Sequence, residues 1–181
     1  MKININTVID AAYAKWMDRA YIFEKIQGIY TPITYGDFIT KTKRLAKNLI
    51  DMGLQNKKVL IFGPNSINYM ISDLAVLAYV GVSVNINAQS SVDELKEIIE
   101  IIGIDAVIYD EQMNSVISKV ITQFPNIKFL SMQENIHSLK NGRCSFNFDE
   151  KDNEECSKIV FSSGTMSNPK GIMLSLKNIF S

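Results

Sequence analysis

The sequence predicts an α/β fold: a largely parallel sheet with helices on both faces, in three layers. Short apolar runs recur near residues 58, 82, 105 and 128 of the 181-residue chain, with a helix-period segment between each and the next. Repeated strand–helix–strand units of this kind build parallel sheets with right-handed crossovers. Runs such as Lys58–Gly63 (KVLIFG) and Asp105–Tyr109 (DAVIY) are nearly continuous in apolar residues, as strands buried on both faces are. Glycines stand where helical stretches stop, at Gly53, Gly81 and Gly103.

Residues 1–57 read as helix, hairpin and helix. Asn6–Met17 has helical character. Ala20–Glu24 and Ile29–Tyr35 are two strands, and Lys25–Gly28 is the turn between them. Thr34-Tyr35-Gly36-Asp37 resembles a capping box that opens the next helix. On that helix Phe38, Leu45, Ala46 and Leu49 share one face, while Lys41, Lys43 and Lys47 lie away from it.

Residues 58–134 form the βαβ core. Lys58–Gly63 is a strand, and Ser66–Val80 a helix apolar nearly all round, hence buried. Val82–Ile86 is the next strand. Ser91-Val92-Asp93-Glu94 is a capping box, followed by inward Leu95, Ile98, Ile99 and Ile102. After the strand Asp105–Tyr109, the stripe Met113, Val116, Ile117, Val120 and Ile121 predicts a helix ended by Pro125, and Lys128–Met132 a strand. Residues 135–157 are a polar connection with the charge run Asp149-Glu150-Lys151-Asp152 and one edge strand around Ser145–Phe148. Residues 158–181 read as strand, loop and strand, with Ser175 capping a last helix. Asp37, Asp73 and Glu94 read as caps and helix-surface charges. His137 reads as an isolated surface histidine, since no nucleophile pattern accompanies it.

Composition narrows the function classes. Lys plus Arg number 19, as do Asp plus Glu, so no electrostatic ground exists for nucleic acid or an anionic membrane as partner. The longest apolar stretch, Leu74–Val84, is shorter than the roughly 20 residues of a membrane span. The start, MKININTVIDAAYAKW, has no signal-peptide core. Cys144 and Cys156 form neither a disulfide framework nor a metal motif. A cytoplasmic protein without a metal site of its own is expected.

The chemistry concentrates in Phe161–Gly171 (FSSGTMSNPKG). Ser162, Ser163, Gly164, Thr165 and Ser167 offer hydroxyls and consecutive backbone N–H groups, which form anion-binding concavities. Lys170 adds a compact cation suited to phosphate oxygens. The spacing is not that of the Walker loop, because five residues separate Gly164 from Lys170-Gly171. Gly171–Leu174 reads as a strand, so the loop joins two strands and phosphate is held with little help from a helix dipole. The plain alternative is an ordinary polar turn with a solvated lysine.

Ser162 to Gly171, followed by Ile172-Met173-Leu174-Ser175-Leu176-Lys177-Asn178, resembles the phosphate loop of the adenylate-forming superfamily of acyl-CoA synthetases, luciferases and peptide-synthetase adenylation domains. That pattern runs Ser/Thr-Ser-Gly-Thr-Thr-Gly-x-Pro-Lys-Gly, then Val-Met-Leu-Ser/Thr-His-x-Asn. Ile33 to Phe38, Val59 to Asn65 and Leu77 to Gly81 are similar to the family's upstream segments. Met166, Ser167 and Leu176 depart from the loop pattern, and Asn85-Ile86-Asn87-Ala88 lacks both prolines of the family turn.

The resemblance implies that residues 1–181 are the N-terminal part of an adenylating enzyme's large domain. It implies an AMP-forming acid–thiol ligase that activates a carboxylic acid, fatty or other acyl, with ATP and Mg2+ and passes it to coenzyme A. Ser162, Ser163, Thr165 and Lys170 would then contact phosphate through side chains, and Gly164, Ser167 and Gly171 through backbone. Catalytic residues are expected beyond Ser181, so the remainder of the enzyme is a required partner and the isolated chain is expected to turn over poorly. An amino-acid adenylation domain, a non-catalytic nucleotide- or anion-binding module, and a structural piece pairing through its sheet are the alternatives. An open sheet edge also predicts self-association.

Overall fold

The computed structural model describes residues 4–139, 146, 148, 149, 151–161 and 170–181. Helix α1 (Ile5–Trp16) starts where the Asn4 side chain accepts hydrogen bonds from the N–H groups of Asn6 and Thr7. Strands β1 (Ala20–Ile26) and β2 (Ile29–Thr34) form an antiparallel hairpin. Its turn residues Gln27 and Gly28 have φ of 49° and 87°, the mirror-image conformation that matches the strands' twist. Thr34 caps α2 (Tyr35–Asp51) by accepting from the Asp37 N–H, and its hydroxyl donates to the Asp37 carboxylate.

One six-stranded sheet carries the rest: β3 (Lys58–Phe62), β4 (Val82–Asn85), β5 (Ala106–Tyr109), β6 (Lys128–Ser131), β7 (Cys156–Phe161) and β8 (Gly171–Ser175). The order is β6-β5-β3-β4-β7-β8, parallel throughout except for the antiparallel β7–β8 pair. Alternate residues of β3 divide the two cores. Val59 and Ile61 join a cluster with α1, α2, α3 (Ile67–Ala75) and Met132 and Ile136 of α6 (Met132–His137). Leu60 and Phe62 join a cluster with Leu95, Ile98 and Ile99 of α4 (Val92–Ile102), and with Ile117 of the short α5 (Asn114–Ile117). Helix α4 carries the expected capping box between Ser91 and Glu94 and ends on left-handed Gly103. A final turn, α7 (Leu176–Ile179), is capped by Ser175. Among the described residues no helix is long and apolar enough to cross a membrane.

Four expectations are corrected. The helix expected over Ser66–Val80 is α-helical only to Ala75; Val76–Val80 widens into a π-turn, closed by the Gly81 N–H on the Val76 carbonyl at 3.0 Å. Gly81 lies against the backbone of Lys57, where a Cβ would stand 2.0 Å from the carbonyl oxygen. The stripe from Met113 to Ile121 is broken into two short 3₁₀ turns around α5, so apolar period alone did not sustain a helix over a segment this short. In the polar connection, Phe146 and Phe148 lie outside any strand; their rings pack edge to face, and Phe148 stacks on Tyr79 at 4.2 Å. Ser145 and Asn147, the other two residues of the expected edge strand, lie outside the described residues. Helix α6 reaches to His137, and β7 begins at Cys156, so regular structure enters the connection from both sides.

Candidate active site

The four parallel strand pairings place the carboxyl ends of β3, β4, β5, β6 and β7 along one edge, where ligands bind in open α/β sheets. At this edge β7 turns back into β8. Phe161 and Gly171 are register partners, so β7 and β8 form a two-strand antiparallel stem that ends at this pair. Ser162, Ser163, Gly164, Thr165 and Ser167, with Met166, lie outside the described residues. Lys170 is exposed at the loop's exit and Gly171 is the first residue of β8. Among the described residues no carboxylate pairs with Lys170. A Cβ on Gly171 would meet Ile159 Cγ2 at 3.0 Å and the Phe161 ring at 3.2 Å, so glycine lets the stem close tightly.

Two neighbouring strand ends are fixed by polar contacts. Gly63, after β3, lies against Asp110, after β5; a Cβ there would stand 2.6 Å from the Asp110 Cβ. The buried Asp110 carboxylate accepts from the Gln112 N–H at 2.9 Å and from Gln133 Nε2 at 2.7 Å. It is fully partnered and serves as an anchor.

Beside the stem lies a network that the sequence reading missed. Asp73, expected as a helix-surface charge, instead accepts from Lys158 Nζ at 2.6 Å, from Ser83 Oγ at 2.6 Å and from Asn85 Nδ2 at 3.2 Å. Asn85 Nδ2 also donates to the Tyr69 hydroxyl at 2.9 Å. Burial raises the Tyr69 phenol above its ordinary pKa; the Asn85 bond opposes this and the Asp73 charge adds to it. Tyr69 is therefore a neutral acceptor at physiological pH. Ser83 and Lys158 are register partners on adjacent strands, so the network ties α3, β4 and β7 together just before β7 enters the loop. The signal was present in the sequence: Ser83 and Asn85 interrupt an apolar strand at period two, and Lys158 interrupts another.

Asp73→Ala would strand the Lys158 ammonium and two hydrogen-bond donors on a half-covered face. The expected loss is about 2–3 kcal/mol, below that of a fully buried pair because both side chains are about one-fifth exposed. Urea denaturation of the 181-residue chain measures it, and a loss under about 0.5 kcal/mol would contradict the network's structural role.

A family model described as AMP-binding enzyme matches residues 9–181. The chain belongs to the AMP-binding enzyme family. Relatives within and around the family agree. The 4-coumarate–CoA ligase-like 1 protein of Arabidopsis thaliana is 31% identical over 163 residues, covering 81% of this chain and 28% of the relative. The long-chain-fatty-acid–CoA ligase ACSBG2 of Rattus norvegicus is 27% identical over 170 residues, with coverages of 81% and 25%. The chain thus spans about a quarter of the length of these curated relatives. In fold it matches the anthranilate CoA ligase AuaEII in complex with anthranoyl-AMP, with a TM-score of 0.82 at 16% identity over 97% of this chain and 34% of that one. It also matches the Mycobacterium tuberculosis fatty acyl CoA synthetase, with a TM-score of 0.77 at 19% identity over 98% and 36%. These likenesses establish the adenylating-enzyme architecture of a mostly parallel α/β sheet.

Proposed function

We propose that this chain is the phosphate-gripping N-terminal part of an AMP-forming acid–thiol ligase. Its carboxylic acid substrate, a fatty or other acyl chain, attacks the α-phosphorus of ATP to give an acyl adenylate and pyrophosphate. A thiol, that of coenzyme A, then displaces AMP. The observation that carries this reading is the β7–β8 stem, which sets Lys170, with no carboxylate partner among the described residues, at the exit of a hydroxyl-rich loop at the carboxyl edge of the sheet. ATP fits this donor set: Lys170 with Ser162, Ser163 and Thr165 would hold phosphate oxygens, and the backbone of Gly164, Ser167 and Gly171 would approach them closely. Their work is positioning and offsetting the charge on departing pyrophosphate. Mg2+ would accompany the triphosphate, and nothing in this chain is assigned to hold it. The ligase names of the relatives support the acyl class over amino acids.

Carboxylate-dependent ATP–pyrophosphate exchange by the full-length protein tests this reading. A long-chain fatty acid is expected to stimulate exchange most, ahead of 4-coumarate and phenylalanine. Preference for phenylalanine would move the assignment to an amino-acid adenylation domain. ATP binding with no exchange on any acid would move it to a non-catalytic module.

Self-association through β8 belongs to the same proposal. This strand lies at the sheet's edge, with Ile172 and Met173 exposed on its two faces. Light scattering of the 181-residue chain is expected to show dimers that Ile172→Lys dissociates; a monomer at millimolar concentration would refute it.

A further inference from the structure

The stem that carries Lys170 is thinly covered. Strand β8 is the outermost strand, and Ile172 and Met173 are exposed on its two faces. Strand β7 is joined to the parallel strands through three register pairs with β4, from Ser83–Lys158 to Asn85–Val160. Lys170 stands one residue before β8, beside the Phe161–Gly171 pair that ends the stem. Where Lys170 sits therefore depends on how the stem is held.

On the α3 side the hold is electrostatic. The two oxygens of Asp73 have separate partners. Oδ1 accepts from Ser83 Oγ at 2.6 Å and from Asn85 Nδ2 at 3.2 Å, both on β4. Oδ2 is left for Lys158 Nζ at 2.6 Å, on β7. Asn85 is fixed in turn by the Tyr69 hydroxyl, one turn before Asp73 on α3. The carboxylate is thus oriented from inside the sheet before it meets the lysine. Such orientation removes much of the side-chain ordering cost that makes ordinary surface pairs weak. Among the described residues this is the one ion pair that reaches β7 or β8. Lys158 is also the register partner of Leu174, so the pair restrains both strands of the stem.

We propose that Asp73 and Lys158 are positioning residues for the adenylation step: their ion pair sets the placement of the β7–β8 stem and so aims Lys170 at the departing pyrophosphate. The inference rests on the proposed ligase function and adds to it a pair of charges that does not touch substrate. Lys158 lies three residues before the end of β7, about 10 Å along the strand from Phe161. Its ammonium is engaged by Asp73, so it acts through the strand and not on phosphate. Misplacing a reacting group by about 1 Å can cost about 100-fold in rate. Losing one tie while the backbone pairing of both strands persists is expected to cost less, about tenfold. Lys170 still reaches the triphosphate in the ground state, so the loss falls on kcat and leaves KM for ATP within about twofold. A pair that only stabilised the fold would leave kcat of the folded protein unchanged.

Lys158→Met in the full-length protein, assayed by carboxylate-dependent ATP–pyrophosphate exchange, tests the role. Methionine keeps the apolar part of the side chain and leaves Asp73 its two donors on β4, so circular dichroism melts are expected to stay above the assay temperature. The expected result is a fall in kcat of about tenfold with KM for ATP little changed. Asp73→Asn should reproduce it, and Lys158→Arg, which keeps the charge, should recover at least about half of the parent rate. In a Lys170→Ala background, Lys158→Met should cost less than about twofold more, because the cation that it aims is gone. Lys47→Met, which breaks the remote Lys47–Asp51 pair on α2, should leave the rate unchanged. Parent-level exchange by Lys158→Met, or a further tenfold loss in the Lys170→Ala background, would overturn the positioning role and leave the ligase reading standing. Absence of carboxylate-dependent exchange in the parent protein would overturn both.

Discussion

Lys170→Ala in the full-length protein is expected to lower carboxylate-dependent ATP–pyrophosphate exchange by about 100-fold or more. The chain leaves Lys170 into strand β8 and not into a helix, so no helix begins at this end of the loop. Backbone N–H groups and hydroxyls can orient phosphate oxygens, but the charge that develops on departing pyrophosphate needs a cation aimed at it. Lys170 is exposed and has no carboxylate partner among the described residues, so its charge is not already neutralised. An interaction stronger in the transition state than in the ground state lowers kcat and kcat/KM together. Lys170→Arg should recover part of the rate, because charge is kept while the point geometry is lost. Since Lys170 buries nothing, denaturation midpoints of parent and variant should coincide. Exchange within about threefold of the parent would end the assignment of Lys170.

Gly81→Ala is expected to destabilise the 181-residue chain by about 3 kcal/mol or more, enough to leave much of it unfolded. A Cβ at this position would stand 2.0 Å from the Lys57 carbonyl oxygen and 2.7 Å from the Lys57 nitrogen. Both are backbone atoms, so no rotamer change relieves the overlap. They cannot withdraw easily, because the Val82 N–H donates to the Lys57 carbonyl at 2.9 Å and the Asn56 N–H to the Val80 carbonyl at 2.7 Å. These bonds start the β3–β4 pairing at the centre of the sheet. Gly103→Ala is the control. Gly103 has φ of 67° but nothing within 4 Å of its Cβ position, so only backbone strain of about 1–2 kcal/mol is expected. Circular dichroism melts of both variants measure the difference; similar losses would refute the steric account.

How far the sequence reached depended on how local the cause was. Helix starts at Thr34, Ser66, Ser91 and Ser175 are set by side chains bonding to N–H groups three residues away, so a reading of neighbours finds them. The hairpin turn at Gln27-Gly28 is equally local. The π-turn at Val76–Val80 is not marked by any such neighbour, and the glycine that follows it packs on a backbone more than 20 residues earlier. Lys151 read as one member of a charge run in a polar connection, yet it lies folded over the carbonyls of that same turn. Asp73 looked like a helix-surface charge because its partners Ser83, Asn85 and Lys158 lie on strands of unrelated sequence position.

Apolar period and turn chemistry by themselves determined that this chain builds a parallel α/β sheet, and the Ser-Ser-Gly-Thr stretch with its Lys-Gly determined its family likeness. Both are written in residues close along the chain, where helical and strand periods and loop spacing act. Only the tertiary structure decided the strand order, which brings β7 from the far end of the sequence to lie between β4 and β8. It also decided which charges stay in solvent and which become anchors. A carboxylate's environment is set by the side chains that packing brings to it across the sheet, and no stretch of sequence contains them all.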